Sequence, residues 1–316
     1  MKQSLVLLIG AALLLAGCST GKFYYDAPPL SFADVNYGFP TKHTLVNGIN
    51  VHYIDEGKGE KTLILVHGLA SNAGFWRYNI AELSSKYRVI AVDLPGYGKS
   101  DKGVYPYTLT FYADIISGLV KQLNLSTIYY AGNSMGGQIG IWFCLRHPEQ
   151  VEKLVLTDPA GIEHFTPGEK EWFRGFFNTT IIKNTPEVTI RANLANNLYN
   201  FDERFEWMVE ERARTVKTPE FDDFAYTVVR CVNAMVDEPT DERLGQLKTP
   251  TLIIYGEQDL LIPNPVLHGG TSRSIGEKGV KEIPHARLVM IPNAGHISMM
   301  DQPAIYDKTV MDFLGQ

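Results

Sequence analysis

The chain of 316 residues has no excess of positive charge, no apolar run of membrane-spanning length, no internal repeat and no low-complexity tract. Each absence removes a class of protein. With 29 Lys and Arg against 35 Asp and Glu the formal charge is −6, which repels phosphate, so no nucleic-acid partner is expected. No group of His, Cys, Asp and Glu shows metal-ligand spacing, and Gly98-Lys99-Ser100 is no phosphate loop, because GxxxxGK[ST] demands Gly at position 93, which is Asp. Neither a cofactor nor a resident metal is expected. What is present is a composition 45% hydrophobic, 20% charged and 11% aromatic, enough apolar side chain for a large core and incompatible with disorder.

The first forty residues stand apart. One basic residue within 1–4, an apolar run at 5–15 and the tetrad Leu15-Ala16-Gly17-Cys18 read as an export signal over residues 1–17. The run falls short of the roughly 20 apolar residues of an ordinary span. LAGC resembles a bacterial lipoprotein box, which implies that Cys18 is diacylated and becomes the mature N-terminus, and Ser19 in place of Asp resembles an outer-membrane sorting signal. The resemblance implies a protein of the bacterial cell envelope, held on a membrane by its acyl chains. An uncleaved anchor helix is the competing reading. Residues 21–40 mix Gly, Pro, Ser and Asp with Phe23, Tyr24 and Tyr25, so 18–40 read as lipidated N-terminus and tether. Only Cys144 and Cys231 then remain as thiols, one in a helical pattern and one in the middle segment, which favours two buried thiols over a disulfide.

From residue 62 onward, short β-branched runs at 62–66, 88–92, 127–131, 153–157, 251–255 and 287–291 alternate with helical patterns such as 110–123. Continuous apolar runs suit strands buried on both faces, so the alternation predicts an α/β fold with a mostly parallel sheet wrapped by helices. Residues 43–46 and 50–54, joined by Asn47-Gly48, read as an antiparallel hairpin at its start. The alternation breaks over 161–247. There Trp172, Phe173, Phe176 and Phe177 recur at helical spacing, as do Phe224, Val228, Cys231, Val232 and Met235, so a helical insertion is expected between core segments 41–160 and 248–316. Its ten Lys and Arg against sixteen Asp and Glu account for the whole net charge.

GNSMGG at 132–137 follows one predicted strand and opens a helix, which places Ser134 on a tight turn whose flanking glycines leave room for the neighbouring backbone. HGLA at 67–70 ends another strand at the same edge, so the N–H groups of Leu69 and Met135 are candidate donors to an oxyanion, while His67 holds the loop. A serine hydroxyl needs a base, and the base an orienting acid. Asp259 follows the strand at 251–255 and His296 the strand at 287–291, so both emerge at the strand ends with Ser134; Glu257 and Asp158 compete with Asp259 for the role of acid.

These motifs resemble the α/β-hydrolase superfamily over residues 41–316: HGLA, DLPGYGKS at 93–100, GNSMGG, GEQD at 256–259 and AGH at 294–296 stand in its order. The resemblance implies a sheet of about eight strands, with the insertion after the sixth forming a cap over the site. More narrowly, the elbow and the lipid-anchored N-terminus resemble bacterial lipases and phospholipases related to monoacylglycerol lipases. That implies a serine carboxylic-ester hydrolase acting through an acyl-enzyme on a small-molecule ester or lipid. GNSMGG is also similar to the carbon–carbon hydrolases of aromatic ring degradation, many of which carry Trp where this chain has Ile297 after the base. The alternatives are therefore a carbon–carbon hydrolase or acyltransferase on the same fold, or a non-catalytic lipoprotein that binds a hydrophobic ligand.

Overall fold

Eight strands form one sheet in a computed structural model, which describes residues 22–316; the export signal 1–17 and Cys18 lie outside the described residues. In chain order they are β1 (Thr41–Val46), β2 (Ile49–Glu56), β3 (Thr62–Val66), β4 (Arg88–Val92), β5 (Ile128–Asn133), β6 (Val151–Thr157), β7 (Thr251–Gly256) and β8 (Ala286–Ile291). Their order across the sheet is β1-β2-β4-β3-β5-β6-β7-β8. β2 runs antiparallel to both β1 and β4, and every other pairing is parallel. Asn47 and Gly48, with φ of 53° and 81°, make the β1–β2 turn in the left-handed conformation that twisted hairpins demand.

The sheet separates two apolar cores. Ile64, Val66 and Tyr130 point into one, Leu63, Leu65 and Tyr129 into the other, as the two-residue period of a strand requires. β3, β5 and β7 are buried along their whole length. β8 departs from the expectation of a strand buried on both faces, because it is the sheet's outer edge and most of its residues stay partly exposed.

Helices α1 (Ile80–Leu83), α2 (Leu109–Gln122) and α3 (Met135–Arg146) come before β6. Five more, α4 (Pro167–Phe176), α5 (Thr179–Lys183), α6 (Glu187–Ala195), α7 (Glu206–Thr215) and α8 (Phe221–Asp237), lie between β6 and β7. The remaining three are α9 (Ser272–Glu282), α10 (Ser298–Asp301) and α11 (Pro303–Leu314). Among the described residues no helix is long and apolar enough to cross a membrane.

The five-helix insertion is pinned to the sheet domain at its base. Thr240 Oγ1 donates to Gly161 O at 2.7 Å, joining entry to exit, and α3 grips the end of α8 through Gln138 Nε2 to Met235 O at 3.0 Å and Trp142 Nε1 to Glu238 O at 3.0 Å. α8 buries Phe224, Val228, Cys231 and Val232 along one face. The aromatics of α4 differ from a core stripe: no residue of that helix is buried, and Trp172 instead stacks on Phe176, with ring centroids 5.3 Å apart.

Residues 22–38, part of the segment read as a tether, pack on the globular body. They form a strap across the insertion. Lys217 Nζ donates to three strap carbonyls, of Tyr24 at 2.7 Å, Tyr25 at 2.8 Å and Ala27 at 2.7 Å, while the Tyr24 N–H donates to the Glu187 carboxylate at 2.8 Å. Phe32 is buried against Phe224, ring centroids 5.5 Å apart. Charged partners absent from the local sequence thus override its turn-like composition. Replacing Lys217 by Met should lower unfolding stability by about 1 kcal/mol, since exposure offsets much of what three charge-assisted bonds contribute. Urea unfolding reads that loss, and amide exchange should quicken at residues 24–30 before it does in β3 or β5.

Candidate active site

Ser134 joins β5 to α3 with φ 54° and ψ −117°, a left-handed backbone that a non-glycine residue adopts only when its surroundings enforce it. They do so through the glycines on either side. A Cβ on Gly132 would stand 2.2 Å from Gly136 O, and one on Gly136 would stand 2.5 Å from Val66 O. The turn is fastened to the next strand by the Ser134 N–H, which donates to Thr157 O at 2.9 Å.

The structure joins the three residues singled out by sequence into one hydrogen-bonded chain. Ser134 Oγ lies 2.9 Å from His296 Nε2, and His296 Nδ1 lies 2.9 Å from Asp259 Oδ2. A carboxylate only accepts, so Nδ1 carries the proton and Nε2 is the nitrogen free to accept from the serine hydroxyl. Asp259 Oδ1 is held by the N–H groups of Leu261 at 2.8 Å and Ile262 at 3.1 Å, which fixes the carboxylate plane. The Asp259 side chain is wholly buried and that of His296 is 7% exposed. Burial alone lowers the imidazole's pKa, but the Asp259 charge and hydrogen bond, with a further contribution from the Asp158 charge, outweigh it and leave the net shift upward.

The competing residues take other places. Glu257 pairs with Arg273 at 3.0 Å on the surface. His67 is fully buried; its Nδ1 donates to Gly68 O at 2.7 Å and its Nε2 accepts from the Leu94 N–H at 3.2 Å, and burial holds its pKa down to about 4, so it is a neutral brace for the loop. That loop touches the elbow: a Cβ on Gly68 would stand 3.1 Å from Ser134 Cβ. Among the described residues neither Leu69 N–H nor Met135 N–H donates to a protein acceptor. Cys144 and Cys231 are buried, unpaired thiols whose pKa values burial pushes up to about 12 and about 11.

A cavity of about 260 Å³ opens over Ser134 and His296, walled by Phe165, Phe173, Val232, Met235, Leu261 and Ile262, with Glu163, Lys170 and Asp241 as charged members. Beside it His268 faces two carboxylates, Glu163 at 2.5 Å from Nδ1 and Glu169 at 3.1 Å from Nε2. Donating to both requires the imidazolium; burial opposes that form, but the two carboxylates prevail and the pKa is raised. No motif announces this clasp, because Glu163 and His268 are 105 positions apart. The same holds for His164, Asp241 and Glu242, whose ligand atoms lie within 4.8 Å of one another in an outer cleft, a grouping that linear spacing cannot reveal.

A serine, histidine and aspartate bonded in series at the strand ends of a wrapped parallel sheet define a hydrolase. The chain belongs to the alpha/beta hydrolase fold family, whose match spans residues 61–303. It is similar to the 2-hydroxy-6-oxononadienedioate/2-hydroxy-6-oxononatrienedioate hydrolase of Paraburkholderia phymatum, 29% identical over 85% of this chain and 92% of that one. It is also similar to the 2-hydroxy-6-oxo-6-phenylhexa-2,4-dienoate hydrolase of Comamonas testosteroni, 29% identical over 84% of this chain and 91% of that one. Among solved structures, a meta-cleavage product hydrolase from Pseudomonas fluorescens superposes with a TM-score of 0.71 and 28% identity, over 89% of this chain and 99% of that one.

These relatives overturn the expectation of a carboxylic-ester hydrolase of the lipase type. The elbow, base and acid that suggested it form the same constellation whichever bond to the carbonyl is cut. Ile297, next to the base, is buried in the second core and is not among the residues that wall the cavity.

Substitution Gly136→Ala should cost at least about 2 kcal/mol, because the added methyl meets rigid backbone rather than a flexible side chain. Thermal unfolding measures this, and the reaction of Ser134 with a fluorophosphonate should slow in whatever folded protein remains.

Proposed function

We propose that the protein hydrolyses a carbon–carbon bond beside the ketone of a 2-hydroxy-6-oxo-dienoic acid, with Ser134 as nucleophile, His296 as base and Asp259 as the acid that orients it. The observation carrying this reading is the unbroken Asp259–His296–Ser134 hydrogen-bond chain beneath an apolar cavity, in a chain whose relatives are named for such substrates.

Cutting a carbon–carbon bond requires a place for the departing electron pair. The substrate first ketonises, its 2-hydroxyl losing a proton while C5 gains one and the double bonds move to C2=O and C3=C4; the 2-oxo group is then conjugated through C3=C4 to C5, so the pair released from C5–C6 reaches the 2-oxygen as a dienolate. Ser134 Oγ attacks C6 while His296 Nε2 takes its proton, and the Leu69 and Met135 amides receive the oxyanion. Collapse breaks C5–C6, the dienolate oxygen takes the proton from His296, and an acyl-Ser134 remains. Water, deprotonated by His296, then releases the carboxylic acid and restores the serine.

The two halves of such a substrate ask for different surroundings. The acyl half, the 6-substituent, suits the apolar cavity walls. The 1-carboxylate calls for a cation, and Arg212, partly exposed, adjoins the oxyanion loop: its Nη2 donates to Ala70 O at 2.5 Å and its guanidinium lies 4.5 Å from the Phe224 ring.

The purified protein should convert 2-hydroxy-6-oxo-6-phenylhexa-2,4-dienoate to benzoate and a hydroxypentadienoate, identified by mass spectrometry, and Ser134→Ala should reduce turnover at least about a thousandfold. No turnover by protein whose Ser134 still reacts with a fluorophosphonate overturns the reading. Arg212→Gln should raise KM for that acid by about tenfold or more while sparing reaction with a neutral phosphonate. Because the His296 pKa is raised, the neutral base is lost as pH falls through a value above the ordinary 6.5. kcat/KM should therefore rise with pH to a plateau whose midpoint lies above 6.5; a flat profile from pH 5 to 9 contradicts the base assignment.

A further inference from the structure

Asp158, the residue after β6, is fully buried and takes no part in the steps above. Its backbone sits at φ 45°, a conformation rarely held by Asp without cause. Its carboxylate reaches two loops at once. Oδ1 accepts from the Gly256 N–H at 2.7 Å, three residues before Asp259, and Oδ2 accepts from the Ser298 N–H at 3.0 Å and the Ser298 hydroxyl at 2.6 Å, two residues after His296. The preceding residue, Thr157, accepts through its carbonyl from the Ser134 N–H at 2.9 Å. Two adjacent residues thus touch the segments bearing nucleophile, acid and base.

We propose that Asp158 is a positioning residue that fixes the base loop against the acid strand and places a second carboxyl behind His296, setting both the imidazole's alignment and the pH at which it becomes a base. The argument is one of geometry and alternatives. Three donors from the end of β7 and the start of α10 converge on a single buried carboxyl, and an apolar residue there would leave all three without that partner. The groups facing it are Asp259 and His296, with the Tyr255 and Tyr306 phenols on β7 and α11. Burial and the Asp259 charge hold the Asp158 carboxyl far above the usual carboxylate range, while His296, Ser298 and the Gly256 N–H draw it back down. Asp158 in turn adds to the upward shift of His296. As pH rises through the raised range in which Asp158 ionises, the carboxylate favours the imidazolium formed while Ser134 attacks and so extends the rise in rate to higher pH; neutralising the position removes that support and that extension.

The test does not depend on the substrate, because reaction of Ser134 with a fluorophosphonate needs only the serine and its base. In Asp158→Asn the second-order rate of that reaction should fall about ten- to a hundredfold, and its acid limb should move to lower pH. Ser298→Ala, which removes one donor and no charge, should slow the reaction about threefold to tenfold without moving the limb, and the double variant should be no slower than Asp158→Asn alone. A rate within twofold of the parent, or an unmoved limb in Asp158→Asn, overturns the proposal. So does a loss of thermal stability with unchanged rate and profile, which is the signature of a purely structural carboxyl. If Asp158→Asn does not fold, Ser298→Ala decides, and an unchanged rate there overturns the proposal. Absence of dienoate turnover in the parent protein with these effects intact would count against the proposed substrate and not against the role of Asp158.

Discussion

The left-handed backbone of Ser134 is the constraint from which the site follows. A serine at φ 54° points its hydroxyl away from the sheet and turns the next N–H toward the same space, but it holds that shape only where strand, helix and neighbouring loop approach too closely for side chains at Gly132 and Gly136. The same close approach brings Gly68 against the elbow, so one steric arrangement holds the Ser134 turn and the 67–70 loop together. Its free-energy cost is borne by the parallel ladder between β5 and β6, which runs to Asn133 and Thr157, and by the extra bond from Ser134 to Thr157 beyond it.

Charge is distributed around this turn by burial and partnership acting in opposition. His67 and His296 are both buried and both follow strands of the sheet, yet their affinities for protons move in opposite directions. His67 meets only a carbonyl and an amide, so desolvation prevails and it stays neutral. His296 meets Asp259 directly and Asp158 behind it, so the carboxylates prevail. His268 repeats the second pattern at the side of the cavity between Glu163 and Glu169.

Much of this was legible in the chain because the signals are short-range. Asn47-Gly48 reports a turn, GNSMGG a steric requirement, and the apolar runs a sheet covered on both faces, each within a few residues. What escaped notice joins segments remote in sequence: Asp158 to Ser298, 140 positions apart, and Lys217 to the carbonyls of 24–27. A strand end marks Asp158 as a candidate acid but not as a partner of Ser298, and no local pattern marks Lys217. The bond to be cut was illegible for a different reason, since the elbow and its partners are set by the tetrahedral oxyanion that ester and ketone share. Arg212 is equally silent, since it sits in an unremarkable charged helix until folding carries it to Ala70.

The strap has a mechanical meaning. Its bonds run to Glu187 on α6 and to Lys217 just beyond α7, elements that sit above the sheet, while its far end anchors through the Tyr37 hydroxyl to Asp93 at 2.8 Å beside β4. Tension applied at residue 22 is therefore transmitted into α6 and the end of α7 before it reaches the sheet. Whatever pulls on the strap, be it a resin, a fusion partner or a surface, has leverage over that part of the insertion before it has any over the helices α4 and α8 that wall the cavity.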